Sequence, residues 1–359
     1  MNTAYLILEN GTVFMGQAFG HQAETVGELV FSTAMVGYLE TLTDPGYYGQ
    51  MVLQTFPLIG NYGVISSDLQ SETVQIKAYI VKEWCQEPSN FRSEGELDAF
   101  LRHHQIPGLC GIDTRALTHI IRENGVQNAM ISTTPTLTDE QWQALRSYKI
   151  TGGVDALGAK DTYRVDNSDA KYNVVFWDFG ASGDMIQELV RRGCAVTVVG
   201  PAATADDIAA INPDGILLGN GPGDPAENTR IIAELAKLRA KNIPTAGVCL
   251  GHQLLALSRG AKTEKLPFGH RGANQPVLEA ASGKVFVTSQ NHGYAVTPGS
   301  LPASAEMSHV NCNDKTCEGI RYKDEAAFSV QFYPESEDGG PGGKQFYNEF
   351  VAMLERGAK

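Results

Sequence analysis

The stretch Thr245-Ala246-Gly247-Val248-Cys249-Leu250-Gly251 places one cysteine between two glycines, directly after a short apolar run. This G-x-C-x-G pattern has the form of a nucleophile elbow, in which a strand turns sharply into a helix. Glycines beside the cysteine allow the turn and the close approach of other backbone. The pattern predicts a reactive thiol at the start of a helix, where free N–H groups favour a thiolate. The simpler interpretation is a buried cysteine that only fills space.

Around this stretch, apolar segments of strand length alternate with segments of helical character. Predicted strands cover 174–177, 195–199, 216–218, 245–248, 285–288 and 328–332, and predicted helices cover 184–192, 206–211, 229–240, 252–257 and 345–354. Such alternation is typical of βαβ units with a parallel sheet. We therefore predict an α/β protein whose C-terminal domain has a mostly parallel sheet with helices on both faces.

The N-terminal half of the chain lacks this regular alternation and is predicted to form a mixed α/β domain. Asn10-Gly11 between two apolar segments indicates a β-hairpin. Asp113 is a candidate N-cap of one helix, and Ser93 with Glu96 is a candidate capping box of another. These signals predict short helices and strands in place of regular βαβ units.

A change of composition follows residue 150. Gly152-Gly153 is followed by a polar stretch from Lys160 to Lys171, and such a stretch between periodic segments is typical of a connection. We therefore predict an N-terminal domain over 1–150, a linker over 151–171 and a second domain over 172–359.

The composition and net charge of the chain indicate which classes of binding partner to exclude. Hydrophobic residues make up 42% of the chain and charged residues 19%, which is typical of a globular protein. The formal net charge is −13, and so acidic a surface repels phosphate backbones and anionic membranes. We therefore expect no nucleic-acid partner and no membrane partner. Because neither a signal-peptide pattern nor an apolar run of ~20 residues is visible, we expect a cytoplasmic protein.

The six cysteines of the chain are too few and too scattered for a disulfide framework. Cys312 and Cys317 have no second Cys or His pair at zinc spacing, so no metal site is predicted. A reactive thiol, with an ordinary pKa of about 8.5, also needs a base. His252 and His292 lie near the candidate site, but each is equally an ordinary hydrogen-bonded histidine.

Four motifs of the second domain resemble the class I, or triad, glutamine amidotransferase family. They are 219–225 (GNGPGDP), 247–253 (GVCLGHQ), 290–293 (QNHG) and 334–335 (PE). The segments 31–38, 42–45, 60–63, 111–115 and 268–274 narrow the resemblance to the small-subunit family of carbamoyl-phosphate synthetases. The resemblance covers nearly the whole chain, with its motifs in order.

The resemblance implies a reaction and a set of site residues. Cys249 would attack the side-chain amide of L-glutamine, form a γ-glutamyl thioester and release ammonia. The positions that match glutamine-holding residues of the family are Gly221, Gly223, Leu250, Gln253, Asn291, Gly293 and Tyr294. Glu335 matches the carboxylate that orients the histidine of the triad. Tyr294 stands where phenylalanine is expected, and Gly46 stands where a serine often contributes.

The resemblance also implies a division of labour between two chains. Ammonia would pass to a large subunit that binds ATP and Mg and makes carbamoyl phosphate for the arginine and pyrimidine pathways, in a heterodimer. The N-terminal domain would contact that large subunit. No cofactor is expected in this chain, where no ATP-binding motif is visible.

One departure from the family pattern affects the chemistry. The triad histidine is expected two residues before Glu335, but the segment 331–335 has the sequence QFYPE and places Tyr333 there. A phenol, with an ordinary pKa of about 10, is a poor acceptor for a thiol proton at pH 7. General acid–base help is worth roughly 10²–10⁴-fold in rate.

Three hypotheses follow from this departure. The first is a working glutaminase in which Tyr333, or a substitute such as His292, serves as the base. The second is a glutaminase-impaired subunit that supports the large subunit structurally or through regulation. The third is a stand-alone hydrolase of γ-glutamyl compounds, which leaves the N-terminal motifs without a purpose.

Overall fold

The computed structural model describes residues 2–181, 183–334 and 340–357, and the chain divides into two units, Met1–Ile150 and Thr151–Lys359. The strands of the first unit are β1 (Thr3–Leu8), β2 (Val13–Gly20), β3 (Thr25–Ser32), β4 (Gln50–Gln54), β5 (Leu58–Ile59), β6 (Ala78–Ile80), β7 (Glu83–Trp84), β8 (Pro107–Cys110) and β9 (Gln127–Ser132). Its helices are α1 (Tyr38–Thr43), α2 (Leu97–His103), α3 (Thr114–Asn124) and α4 (Asp139–Ser147).

Seven strands of the first unit form a closed barrel in the order β1-β2-β8-β6-β4-β3-β9. The predicted hairpin is confirmed, because β1 and β2 pair antiparallel around Gly11, whose φ of 89° suits a glycine turn. The predicted cap of α3 is also confirmed, since the Asp113 side chain accepts a hydrogen bond from the N–H of Ala116. The capping box at Ser93 is wrong. Helix α2 begins at Leu97 after Glu96, and the Ser93 hydroxyl bonds to the Gly95 carbonyl.

The second unit contains ten strands and six helices within the described residues. The strands are β10 (Tyr163–Val165), β11 (Tyr172–Trp177), β12 (Cys194–Val199), β13 (Gly215–Leu218), β14 (Thr245–Val248), β15 (Thr263–Glu279), β16 (Val285–Val296), β17 (Ala305–Asn311), β18 (Cys317–Tyr322) and β19 (Ala327–Val330). The helices are α5 (Gly153–Leu157), α6 (Asp184–Arg191), α7 (Ala205–Ala210), α8 (Thr229–Arg239), α9 (Leu250–Ser258) and α10 (Gly340–Gly357).

These strands form one sheet in the order β10-β12-β11-β13-β14-β19-β18-β16-β15-β17. The central strands β12, β11, β13, β14 and β19 are parallel, as the alternation of strands and helices predicted. The remaining strands pair antiparallel, and they include the long hairpin of β15 and β16. The α/β fold class is therefore confirmed, with a parallel centre in a mixed sheet.

The predicted linker over 151–171 is not an extended connection. It contains helix α5 and strand β10, and β10 pairs antiparallel with β12 through Tyr163 and Val198. The polar composition of this segment arises because β10 is an edge strand whose residues are largely exposed, so its sequence has no apolar run.

The two faces of the sheet pack against different helices. One apolar cluster joins Trp177 and Leu218 with residues of α7, α8 and α9. The other joins Phe176 and Val248 with residues of α6 and α10, among them Phe350. Helices therefore cover both faces, and the carboxyl ends of the parallel strands remain the place for a site. Among the described residues, no helix is long and apolar enough to cross a membrane.

Candidate active site at the end of strand β14

Cys249 lies between β14 and α9 in a backbone conformation that side chains rarely adopt. Its φ is 53° and its ψ is −105°, and such strain in a non-glycine residue is typical of functional sites. A Cβ on Gly251 would lie 2.4 Å from the carbonyl oxygen of Leu218, and one on Gly247 would lie 2.7 Å from that of Gly251. Both glycines are therefore required by the close packing of the turn, and the elbow that the sequence predicted is present.

The Cys249 sulfur faces two polar groups from neighbouring strands. It lies 3.7 Å from the carbonyl oxygen of Asn291 in β16 and 3.5 Å from Nε2 of Gln331, just after β19. Only 3% of Cys249 is exposed. The thiol is therefore held in a polar pocket between strand ends, and it differs in this from a cysteine packed only among apolar side chains.

The glycine loop 219–223 packs directly on the elbow. The N–H of Gly251 donates to the carbonyl oxygen of Gly219 at 3.0 Å. A Cβ on Gly221 would lie 2.8 Å from the Leu250 side chain, and Gly223 has a φ of 87°. The structure thus brings the predicted residues Gly221 and Leu250 together, with Gly223 in the same loop.

The predicted residues of β16 lie on the other side of the thiol. Asn291 contributes the carbonyl oxygen that faces the sulfur, and Gly293 and Tyr294 follow it along the strand. Nε2 of Gln253, in α9, donates to the Tyr294 carbonyl oxygen at 2.7 Å. Four of the predicted residues are therefore joined around Cys249 by adjacent elements, which are β16 and α9.

Tyr333, in the place where the sequence pattern puts a histidine, shares a hydrogen-bond partner with the thiol. Its N–H donates to the Ser289 carbonyl oxygen at 3.0 Å, which ties the end of β19 to β16. Its hydroxyl donates to the carbonyl oxygen of Asn291 at 3.4 Å, the same oxygen that faces the Cys249 sulfur. Glu335, the predicted orienting carboxylate, lies outside the described residues.

The two histidines near the candidate site, His292 and His252, bond to other groups. Nδ1 of His292 lies 2.7 Å from the Tyr294 carbonyl oxygen, and Nε2 lies 2.9 Å from Oε1 of Gln290. His252 is fully buried with Nδ1 at 2.8 Å from the Ser329 hydroxyl, and burial lowers its pKa to about 3. His292 therefore does not fit the role of substitute base that the sequence allowed for it.

Family models match both halves of the chain. The carbamoyl-phosphate synthase small chain, CPSase domain, matches residues 6–131, and the class-I glutamine amidotransferase matches residues 175–353. A carbamoyl phosphate synthase small chain of Chlorobaculum tepidum is 47% identical over 361 residues, which cover 98% of each chain. The chain belongs to the carbamoyl-phosphate synthase small chain family. The resemblance drawn from the motifs is therefore confirmed.

Other relatives of this small chain extend the comparison. A carbamoyl phosphate synthase pyrimidine-specific small chain of Halalkalibacterium halodurans is 44% identical over 352 residues, 98% of this chain and 96% of the relative. Among solved structures, a glutamine amidotransferase of Thermotoga maritima has a TM-score of 0.41 at 16% identity, over 52% of this chain and 98% of that chain.

Sequence reasoning missed a buried polar network behind the site of this small chain. His270 in β15 lies between two carboxylates, with Nε2 at 2.9 Å from Asp314 and Nδ1 at 3.4 Å from Glu318. Glu318 also accepts hydrogen bonds from Gln290 and Asn311. Burial by itself lowers the pKa of His270, but the two carboxylates outweigh it and raise that pKa to about 9. His270 is therefore a buried cation at neutral pH.

Three side chains of the same network could together hold a metal ion, and the spacing of the cysteines gave no sign of them. Candidate ligand atoms of His270, His292 and Glu318 lie within 4.8 Å of one another. The His270 ring, when protonated, supplies a positive charge beside Glu318, whose own pKa is raised by burial. These residues come from β15, β16 and β18, which the sequence analysis did not place side by side, so only the antiparallel end of the sheet reveals them.

Gln331 is the other residue that the sequence analysis overlooked. It lies two positions before Tyr333 and its side chain reaches the nucleophile. Alternation along an extended segment puts residues two apart on the same side, and this signal was available in the sequence. The family pattern itself concerns the histidine position and gives no role to Gln331.

Proposed function

We propose that this chain is the glutamine-hydrolysing subunit of a carbamoyl-phosphate synthase and releases ammonia for a separate large subunit. The observation that carries the proposal is the position of Cys249. Its thiol stands on a strained elbow, between the glycine loop 219–223 and the strand that contains Asn291. Family membership over nearly the full length supports the same reaction.

The proposed chemistry begins with attack of the Cys249 sulfur on the side-chain amide carbon of L-glutamine. The tetrahedral intermediate places its negative oxygen near the start of α9, where the N–H of Leu250 is one of the first groups of the helix. The loop at Gly221 packs against Leu250 and closes this side of the pocket. The C–N bond then breaks, the nitrogen takes a proton and leaves as ammonia, and water hydrolyses the γ-glutamyl thioester to glutamate.

The glutamine backbone and side chain would be held by the residues that match the family pattern. These are Gly221, Gly223, Leu250, Gln253, Asn291, Gly293 and Tyr294. The large subunit would bind ATP and Mg, and the N-terminal unit would contact it. The product, carbamoyl phosphate, would serve the arginine and pyrimidine pathways, and the name of the Halalkalibacterium relative is consistent with the latter.

A second candidate function is favoured by Tyr333. A phenol with an ordinary pKa near 10 does not accept the thiol proton efficiently at pH 7, and the Tyr333 hydroxyl donates to the Asn291 carbonyl. The chain would then be a glutaminase-impaired subunit that binds the large subunit and supports synthesis from free ammonia. The two candidate functions differ in whether Cys249 acts as a nucleophile on glutamine.

The deciding experiment compares Cys249→Ser with Cys194→Ser in complex with the large subunit. Cys194 is a fully buried cysteine of β12, in the same unit but outside the proposed site. We expect Cys249→Ser to abolish glutamine-dependent synthesis and to leave ammonia-dependent synthesis intact, while Cys194→Ser retains both.

Other outcomes choose between the remaining hypotheses. A wild-type complex that uses ammonia but not glutamine would establish the glutaminase-impaired candidate. Wild-type glutamine hydrolysis that survives Cys249→Ser would overturn the proposed nucleophile. Failure to associate with the large subunit, together with hydrolysis of γ-glutamyl compounds, would favour a stand-alone hydrolase.

A further inference from the structure

Two buried glutamines connect the Cys249 sulfur to the backbone of the candidate glutamine pocket. Nε2 of Gln253 donates to the Tyr294 carbonyl oxygen at 2.7 Å and to Oε1 of Gln331 at 2.9 Å. Nε2 of Gln331 then donates to the sulfur at 3.5 Å. Gln331 is fully buried and Gln253 is 3% exposed. The three hydrogen bonds form a continuous chain that ends on the nucleophile.

The direction of every bond in this chain follows from a single fixed acceptor. A backbone carbonyl oxygen only accepts, so the Gln253 atom facing Tyr294 must be the NH₂ group. That NH₂ also faces the Gln331 amide, so the Gln331 atom nearest to it must be the oxygen. The Gln331 atom facing the sulfur is therefore NH₂, and the usual ambiguity of amide orientation is removed.

This arrangement presents an N–H donor to the sulfur from a side chain that cannot turn away. A donor that bonds to the charged form of a group favours that form. The Asn291 carbonyl on the other side, at 3.7 Å, accepts from the neutral thiol only. These two contacts therefore act in opposite directions on the balance between thiol and thiolate, and of the two it is the Gln331 contact that favours the thiolate.

We propose that the side-chain amide of Gln331 binds the Cys249 sulfur and stabilises its thiolate, in part replacing the activation that a triad histidine would supply. On ionisation the S–H bond breaks, its proton passes to solvent, and the N–H of Gln331 stays on the sulfur. Gln253 is a positioning residue in this scheme, because it orients the Gln331 amide and touches the sulfur only through it. The inference rests on the proposed function in one respect, which is that Cys249 is the nucleophile.

The test measures ionisation of Cys249 directly in the full chain, without glutamine. Cysteine labelled with ¹³C at Cβ is titrated by NMR, and the signal that disappears in Cys249→Ser belongs to Cys249. In Gln331→Met, which keeps the length and removes the donor, we expect the titration midpoint to move upward by about one pH unit. In Gln331→Glu, which replaces only the NH₂ by oxygen, we expect a larger upward movement.

Several titratable side chains lie on the elements that pack around the thiol, and all of them stay unchanged in these variants. They include His252 on α9, His292 and Tyr294 on β16, His270 and Arg271 on β15 and Tyr333 after β19. Glu335, outside the described residues, is unchanged as well. A difference between wild type and Gln331→Met therefore reports on the Gln331 amide.

Asn167→Leu is the matched control for loss of a structural amide. Nδ2 of Asn167 donates to the Val190 carbonyl oxygen at 2.9 Å, near the β10 edge of the sheet. We expect this variant to leave the Cys249 titration within about 0.2 pH unit of wild type, since none of the hydrogen bonds of Asn167 reaches the site and their loss acts locally. A titration midpoint in Gln331→Met equal to that of wild type would overturn the proposal.

Glutaminase kinetics with the large subunit distinguish this inference from the proposed function. If Gln331 acts on the thiol, Gln331→Met lowers kcat about tenfold and changes KM little. If the titration midpoint moves in Gln331→Met but the wild-type complex never hydrolyses glutamine, the contact is supported and the proposed function is refuted. If the wild-type complex hydrolyses glutamine and Gln331→Met changes neither the titration midpoint nor kcat, the proposed function is supported and the role of Gln331 is refuted.

Discussion

The carboxyl ends of β14 and β19 lie side by side in the sheet, yet they differ in what they supply to the site. Val248 pairs with Val330, so the residues after each strand emerge at the same edge. The end of β14 keeps the whole elbow, with Cys249 at a φ of 53° and tightly packed glycines around it. The end of β19 supplies Tyr333 where the family pattern has a histidine. The geometry of the nucleophile and the handling of its proton are therefore encoded in separate segments.

The largest expected effect comes from restoring the histidine at the end of β19. Because the imidazole accepts a proton at neutral pH and the phenol does not, Tyr333→His should raise glutamine-dependent ammonia release by about 10²–10⁴-fold. The measurement is ammonia release in the presence of the large subunit. Tyr333→Phe serves as the control and should not exceed wild type. Equal rates for Tyr333→His and wild type would mean that the residue at the end of β19 does not limit the handling of the thiol proton.

The next effect tests the elbow itself. A Cβ on Gly251 would lie 2.4 Å from the Leu218 carbonyl oxygen, so Gly251→Ala should lower the free energy of unfolding by about 3 kcal/mol. Gly299→Ala is the matched control, because a Cβ there meets nothing within 4 Å, and it should change stability by less than about 0.5 kcal/mol. Urea unfolding followed by circular dichroism measures both. Equal stabilities would show that the turn can relax.

A smaller effect concerns the charged network behind β16. The pKa of His270 is raised to about 9 in the folded chain, from an ordinary value near 6.5. A raised pKa stabilises the fold fully below pH 6.5, and this contribution is lost as the pH rises through about 9. Between these limits the wild type should lose about 2 kcal/mol of unfolding free energy relative to His270→Gln. Parallel pH profiles of the two proteins would contradict the buried cation.

The smallest effect tests the contact that joins β19 to the helix after the elbow. Ser329→Ala removes the hydrogen-bond partner of Nδ1 in the buried, neutral His252. Nε2 of the same ring has no partner among the described residues, even in the wild type. We expect a loss of about 1 kcal/mol in thermal or urea unfolding. Ser308→Ala breaks a similar contact to the half-buried His309 and should cost less. A larger loss from Ser308→Ala would indicate that burial does not set the cost.

The parts of the fold that sequence predicted are those with strong local signals. The apolar strands around β14, the helices between them and the cap at Asp113 are all present. Strand β10 was missed because an exposed edge strand has no apolar pattern. The hairpin of β15 and β16 was largely missed, because its residues show no regular alternation of buried and exposed positions and its pairing is interrupted by register shifts.

The sequence by itself determined the family, the nucleophile elbow and the departure at Tyr333, because each depends on residue types at short and fixed spacing. Only the tertiary structure decided which groups face the sulfur. Asn291 of β16 and Gln331, just after β19, reach the Cys249 sulfur, and the Tyr333 hydroxyl bonds to the same Asn291 carbonyl oxygen. The tertiary structure also shows that His292 does not fit the role of base, because both of its ring nitrogens bond to other groups. Pairing between strands distant in sequence depends on long-range packing, which no local pattern of residues contains.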